Sequence, residues 1–173
     1  MGGLTPPPPL RASLSAPVAF DSTHDVSLFD CGKEPLNDWL KERAAGNEGR
    51  SSRCFVVCEG REVVAYYCTA AGSVERDKLP KKLQRNMPQS VPVIIIGRMA
   101  VDKRKQGFGI GHGLLKDALL RILNASREIG ARAILVHAID DDVVPFYRNH
   151  GFLPFPTDAR TLFLPLETIV AGL

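Results

Sequence analysis

The densest chemistry in this chain lies between Pro92 and Leu123. An apolar run there gives way to Asp102-Lys103-Arg104-Lys105-Gln106-Gly107-Phe108-Gly109-Ile110-Gly111 and then to a helical pattern. Gly107, Gly109 and Gly111 leave main-chain N–H groups unshielded by side chains, and a helix start beside them adds about half a positive charge. Arg104 and Lys105 stand next to those amides, so an anion held here meets both kinds of donor. The chemistry this favours is phosphate binding. There is no Gly-Lys-Ser/Thr, which sets the stretch apart from a P-loop. Glycines and cations by themselves also fit a tight turn with solvated charges.

Two elements must position this turn. Val93 to Val101 is dense in valine and isoleucine, with Pro92 at one end, and reads as a buried strand. Leu114, Leu115, Ala118, Leu119, Ile122 and Leu123 recur at three- and four-residue spacings, which predicts a helix with Gly130 as its stop.

Arg104-Lys105-Gln106-Gly107-Phe108-Gly109 resembles the R/Q-x-x-G-x-G/A signature of the GNAT acetyltransferases, and Ile110 to Leu115 continue it in register. The resemblance implies the α/β (α+β) class and the GNAT fold, a central mixed, mostly antiparallel twisted sheet flanked by helices on both faces. It implies acetyl-CoA as cofactor, with Met99, Ala100 and Val101 facing the pantetheine. Arg104, Lys105, Gln106, Gly107, Phe108, Gly109, Ile110 and Gly111 would surround the pyrophosphate, with Phe146 in the same site.

Further stretches narrow the resemblance. Phe29-Asp30-Cys31-Gly32, Leu36-Asn37-Asp38-Trp39-Leu40, Gly72-Ser73-Val74, Gly97 to Asp102, and Leu135-Val136-His137-Ala138 are together similar to the GNAT toxins of bacterial toxin-antitoxin modules, over residues 14–166. Phe146-Tyr147-Arg148-Asn149-His150-Gly151-Phe152 resembles the F-Y-x-x-x-G-F segment of the family. This implies acetylation of the α-amino group of aminoacyl-tRNA, blocking translation. It also implies a homodimer and a ribbon-helix-helix antitoxin, with DNA met only through the antitoxin complex.

Acetyl transfer from a thioester to an amine needs a neutral amine, a polarised carbonyl and a proton for the departing sulfur. Main-chain N–H groups of the central strand can polarise the carbonyl. Tyr147 is the candidate acid, because a phenol with a reference pKa of about 10 keeps its proton at neutral pH, and the toxin family gives the tyrosine at this position that part. The strand Val93 to Val101 carries no carboxylate. A lysine amine, at about 10.4, needs a base more than an α-amine near 7.7, so the absence leans toward α-amines. Glu59, Glu62 or a water chain remain alternative bases. Two further readings stay open: an acetyltransferase for a small amine or a protein N-terminus, and a non-catalytic partner in an antitoxin-DNA complex.

The 173 residues, 45% of them apolar, suit one domain over residues 10–173 behind a proline-rich tail at 1–9. No apolar run reaches membrane-spanning length and no secretory leader is visible, so a cytoplasmic protein is expected. Net charge is only +3, yet Arg76, Lys78, Lys81, Lys82 and Arg85 cluster, and with Lys33 and Arg98 they are the candidate tRNA contacts. The four cysteines, at 31, 54, 58 and 68, form no CxxC pair and read as buried free thiols, so no metal site is expected. Asp140-Asp141-Asp142 invites a metal but suits the start of a helix over Val143 to His150 better. Trp39 is spaced for core packing, with nucleobase stacking as the other use.

The remaining elements follow from pattern. A short strand is expected within Leu14 to Phe20, a helix around Leu36, Trp39, Leu40 and Arg43, and a hairpin of Arg53 to Cys58 with Glu62 to Thr69 about Gly60. Ser73 to Val91 reads as a helix-containing insertion, and Ala133 to Ala138 and Thr161 to Pro165 as strands.

Overall fold

The computed structural model describes residues 13–171; the proline tail at 1–9 lies outside the described residues. A seven-stranded sheet runs in the order β1-β2-β3-β4-β5-β7-β6. Its strands are β1 (Val18–Ala19), β2 (Arg53–Glu59), β3 (Glu62–Glu75), β4 (Ser90–Val101), β5 (Ala133–His137), β6 (Leu153–Phe155) and β7 (Asp158–Pro165). Only β4 and β5 pair in parallel, across the crossover helix α4 (Ile110–Ala125) that such a connection requires.

Alternation along the strands assigns the helices to opposite faces. Val57, Val64, Tyr67, Ile134 and Val136 pack in one core with Leu114, Leu115, Ala118 and Ile122 of α4. Their neighbours Val56, Val63 and Tyr66 point the other way, against Leu36, Trp39, Leu40 and Ala44. Those four lie on α1 (Glu34–Asp38), a π-helical turn (Trp39–Arg43) and α2 (Ala44–Asn47). Trp39 is buried, stacked on Tyr66 at 5.9 Å, which is the packing reading of that residue. A third cluster buries Leu79 and Leu83 on Val91, Val93, Ala133, Leu135 and Phe163, with Leu83 coming from the short helix α3 (Lys81–Gln84).

Four expectations are corrected. The strand does not start at Val93 but at Ser90 and runs through Pro92, opposite Ser73. Consequently β3 extends to Glu75, and the insertion shrinks to a 3-10 turn and α3 between two long strands. Helix α4 ends at Ala125, with the Ser126 amide closing onto Ile122, well before Gly130. Helix α5 (Val144–Asn149) has no side-chain cap: Asp140 instead accepts from the Asp142 amide and pairs with Lys33, and Asp141 pairs with Arg160. Strand β6 and helix α6 (Leu166–Ala171) were not legible as elements.

Candidate active site

The pairing of β4 with β5 covers Val93–Ala133 to Ile96–Val136 and then stops. Beyond it β4 continues for Gly97 to Val101, held on its other edge by β3 from Arg98↔Cys68 to Val101↔Ala65. The register shifts at Cys68/Thr69, opposite Gly97, so a bulge falls at the point of divergence. A Cβ at Gly97 would sit 3.3 Å from the Cys68 sulfur, which favours glycine there. The two strands therefore splay. A cleft of about 440 Å³ fills the gap, lined by Gly97 to Val101, His137, Ala138, Ile139 and Tyr147, with Cys31, Lys33 and Leu36 at one side. Strand main-chain groups alternate in direction, so half of those at 97–101 face this cleft and not β3.

Tyr147 is buried by Phe146 and Phe152, both edge-on to its ring, and its hydroxyl has no hydrogen-bond partner among the described residues. Burial, and secondarily Cys68, push its pKa up, so the phenol holds its proton throughout the neutral range. Pro145 is accommodated in the first turn of α5, where no helical N–H is needed. The helix thus carries an intact hydroxyl into the cleft wall.

Next to the splay, Gly107 and Gly109 adopt left-handed φ values of +84° and +80°, and a Cβ on either would meet nothing within 4 Å. Open space therefore lies on that side of the backbone at both positions. Gly109 is also the N-cap of α4, whose first-turn N–H groups have no intrahelical acceptor. A Cβ at Gly111 would lie 3.7 Å from the nearest Phe146 ring carbon, so the glycine turn runs close to the helix that carries Tyr147. Ile110 packs on the core, and Phe108 is 76% exposed.

The flanking cations also make ion pairs within the protein. Arg104 donates to Asp102 Oδ1 at 2.9 Å and Oδ2 at 3.0 Å and also to Glu62, while Lys105 pairs with Glu59. Asp102, 1% exposed, accepts further bonds from the amides of Arg104 and Asp30. Burial alone would raise its pKa, but those Arg104 and amide hydrogen bonds prevail and hold it below the usual carboxylate range. Gln106 donates to Cys31 O and Val101 O, stitching the loop to the α1 approach and to β4. The side chains of Arg104, Lys105 and Gln106 thus shape the turn.

Of the seven candidate nucleic-acid contacts, Lys33 and Arg98 line the cleft, and Arg98 lies over the Trp39 ring at 4.7 Å. Arg76, Lys78, Lys81, Lys82 and Arg85 are exposed around the far end of the β3–β4 hairpin. Eight strand residues, about 26 Å, separate Ser90 at that end from Arg98 at the cleft. Sequence reasoning passed over Cys31, Leu36, His137, Ala138 and Ile139 as cleft walls. Only His137, a polar residue closing an apolar strand, offered a signal.

A splayed parallel strand pair, bare amides on a helix start and a buried, protonated phenol between them define the acyltransferase class. The chain belongs to the GNAT acetyltransferase family: the family's acetyltransferase (GNAT) domain model matches residues 50–154. It is 44% identical over 154 residues to a tRNA-acetylating toxin of Mycobacterium tuberculosis, covering 88% of this chain and 93% of that one. Among solved structures it is similar to AtaT complexed with acetyl-methionyl-tRNAfMet, with TM-score 0.85 and 28% identity over 92% of this chain and 99% of that one. It is also similar to a tyrosine-to-phenylalanine mutant of the AtaT toxin bound to the C-terminus of the antitoxin AtaR and acetyl-CoA, with TM-score 0.80, 25% identity, and 93% and 98% covered.

Proposed function

We propose that this chain is an acetyltransferase toxin that uses acetyl-CoA to acetylate the α-amino group of aminoacyl-tRNA. The observation that carries the reading is the cleft in the β4–β5 splay, with the unpartnered Tyr147 hydroxyl in its wall and Lys33 and Arg98 among its lining residues. The relatedness to a tRNA-acetylating toxin over nearly the whole of both chains supports the choice of acceptor.

The residues fit acetyl-CoA on the protein's own geometry. The turn has open space where a Cβ at Gly107 or Gly109 would stand, which leaves room for a pyrophosphate, and the edge of β4 beyond Ile96, which β5 does not pair, suits an amide-bearing pantetheine arm. Bound there, acetyl-CoA supplies an activated acetyl group as a thioester. Main-chain N–H groups of the bulged β4 segment polarise a carbonyl placed beside them. Tyr147 delivers its proton to a departing thiolate, which a buried neutral phenol does without first being protonated. Met99 and Val101 pack on the α4 core and keep that side of the cleft apolar.

Lys33 and Arg98 are the cationic groups nearest an acceptor end, and the exposed basic hairpin tip meets a long polyanion farther along. A homodimer, a ribbon-helix-helix antitoxin covering the cleft mouth and a cytoplasmic site of action belong to the same proposal. Incubating the protein with labelled acetyl-CoA and bulk charged tRNA tests it. Label on the amino group of an aminoacyl-adenosine released by nuclease is the expected product. Label confined to free amines or protein N-termini would transfer the assignment to a small-amine enzyme.

A further inference from the structure

Acetylating an amine also removes a proton from the attacking nitrogen, and neither Glu59 nor Glu62 is among the residues that line the cleft. Glu62 and Glu59 are engaged by Arg104 and Lys105 at the base of the anion turn. A different group stands in the cleft. His137 is the last residue of β5, one position beyond the final β4–β5 pair at Ile96–Val136. His137 is among the residues that line the same cavity as Tyr147.

The network behind this histidine is directional. His137 Nδ1 lies 3.1 Å from Thr161 Oγ1, and the Thr161 hydroxyl donates to Asp158 Oδ2 at 2.6 Å. Hydrogen bonds from Thr161 and the Arg160 amide lower the Asp158 pKa, so that carboxylate is ionised and can only accept. Thr161 has one hydroxyl proton, and it goes to Asp158. Its oxygen must therefore accept from His137, which places the neutral ring's proton on Nδ1 and leaves Nε2 with a free lone pair. Thr161 is buried and is the cross-strand partner of His137 on β7, so the relay is anchored by the sheet.

We propose that His137 is the general base of this enzyme, poised with Nε2 unprotonated by the Thr161–Asp158 relay. The proposal rests on the acetyl-transfer reading above. As the amine's electron pair forms the C–N bond, the C–S bond breaks with its pair going to sulfur. The nitrogen's surplus proton passes to His137 Nε2, and the Tyr147 hydroxyl proton goes to sulfur. The imidazolium then returns one proton to the Tyr147 oxygen through cleft water, and the chain ends unchanged. The charged and titratable groups around the ring are Arg98 on β4, Lys33 and Cys31 before α1, Tyr147 on α5, and Asp158 on β7. Asp140 is neutralised by Lys33, and Arg160 by Asp141.

The test has one readout independent of turnover. With only four histidines in the chain, nitrogen-15 NMR of the free protein resolves the His137 tautomer. The expected spectrum has hydrogen on Nδ1 and a bare Nε2, and Thr161→Val redistributes the proton while Thr161→Ser preserves it. In steady state, His137→Gln lowers kcat/KM at pH 7 by about 10²-fold without changing acetyl-CoA affinity or the melting temperature. The acid limb of log kcat/KM has a slope near 2 in the wild type, for histidine and amine together, and near 1 in the variant. An Nε2–H tautomer in the wild type, or a His137→Gln enzyme with full rate and an unaltered limb, overturns the assignment. If the wild type leaves charged tRNA unlabelled, the acceptor reading falls instead, and the tautomer alone decides the histidine.

Discussion

Asp102 and Tyr147 show two opposite uses of burial near the same cleft. Tyr147 is kept neutral by its apolar surroundings, which raise its pKa and leave the phenol protonated in the neutral range. Asp102 stays charged although it is almost fully enclosed, because Arg104 and two amides compensate it. A carboxyl whose folded pKa lies below its unfolded one contributes stability above about pH 4 and loses it as pH falls through the folded value. Asp102→Asn therefore costs about 2 kcal/mol at pH 7 and much less at pH 3, read from urea midpoints at the two values. The sequence placed Arg104 on the pyrophosphate because it stands beside the glycines. It did not reveal that Glu62 and Asp102 both reach the guanidinium, since one of those partners is 42 residues away.

The anion turn and helix α4 were legible because their signals are local. Glycines at Gly107 and Gly109, cations before them and a 3.6-residue apolar period after them suffice to read a strand-turn-helix junction. The V between β4 and β5 was not legible, since it depends on where pairing stops at Ile96–Val136 and on a bulge against Cys68. Strand β3 beyond Gly72 was hidden for a related reason: Ser73 to Glu75 are paired only because β4 starts at Ser90, while Ala70 to Gly72 pair with Val93 to Ile95. The turn also supports a direct prediction. Gly109→Val forces a β-branched residue to a φ near +80° and disturbs the N-cap, so it raises KM for acetyl-CoA about tenfold or more. Its kcat at saturation changes little, because Tyr147 is on a different helix.

Across the molecule, one sheet separates the α4–α5–α6 layer from the α1–α2 layer, and the cleft is where the sheet opens between them. The sheet is edged by two short strands, β1 and β6, which leaves little main chain for unwanted strand addition. No helix among the described residues is long and apolar enough to cross a membrane. The basic tip of the β3–β4 hairpin lies about eight strand residues from Arg98, so in the proposed function it would meet the body of a long ligand and not the acceptor amine. Reversing Lys81, Lys82 and Arg85 to Glu should weaken tRNA binding at least tenfold and flatten its salt dependence, while acetyl-CoA binding measured by calorimetry stays as it was. Composition gave that cluster away in the sequence, whereas its distance from the cleft required the register of β3 on β4.

The proposed acetyl transfer depends on the Tyr147 hydroxyl acting on a donor held in the splay, and single-turnover acetyl transfer by Tyr147→Phe is the most direct measurement of that. The expected result is undiminished acetyl-CoA affinity by calorimetry with a rate about 10²- to 10³-fold below wild type, since only the transferable proton is gone. A variant that turns over at the wild-type rate, or one that no longer binds acetyl-CoA, would contradict it.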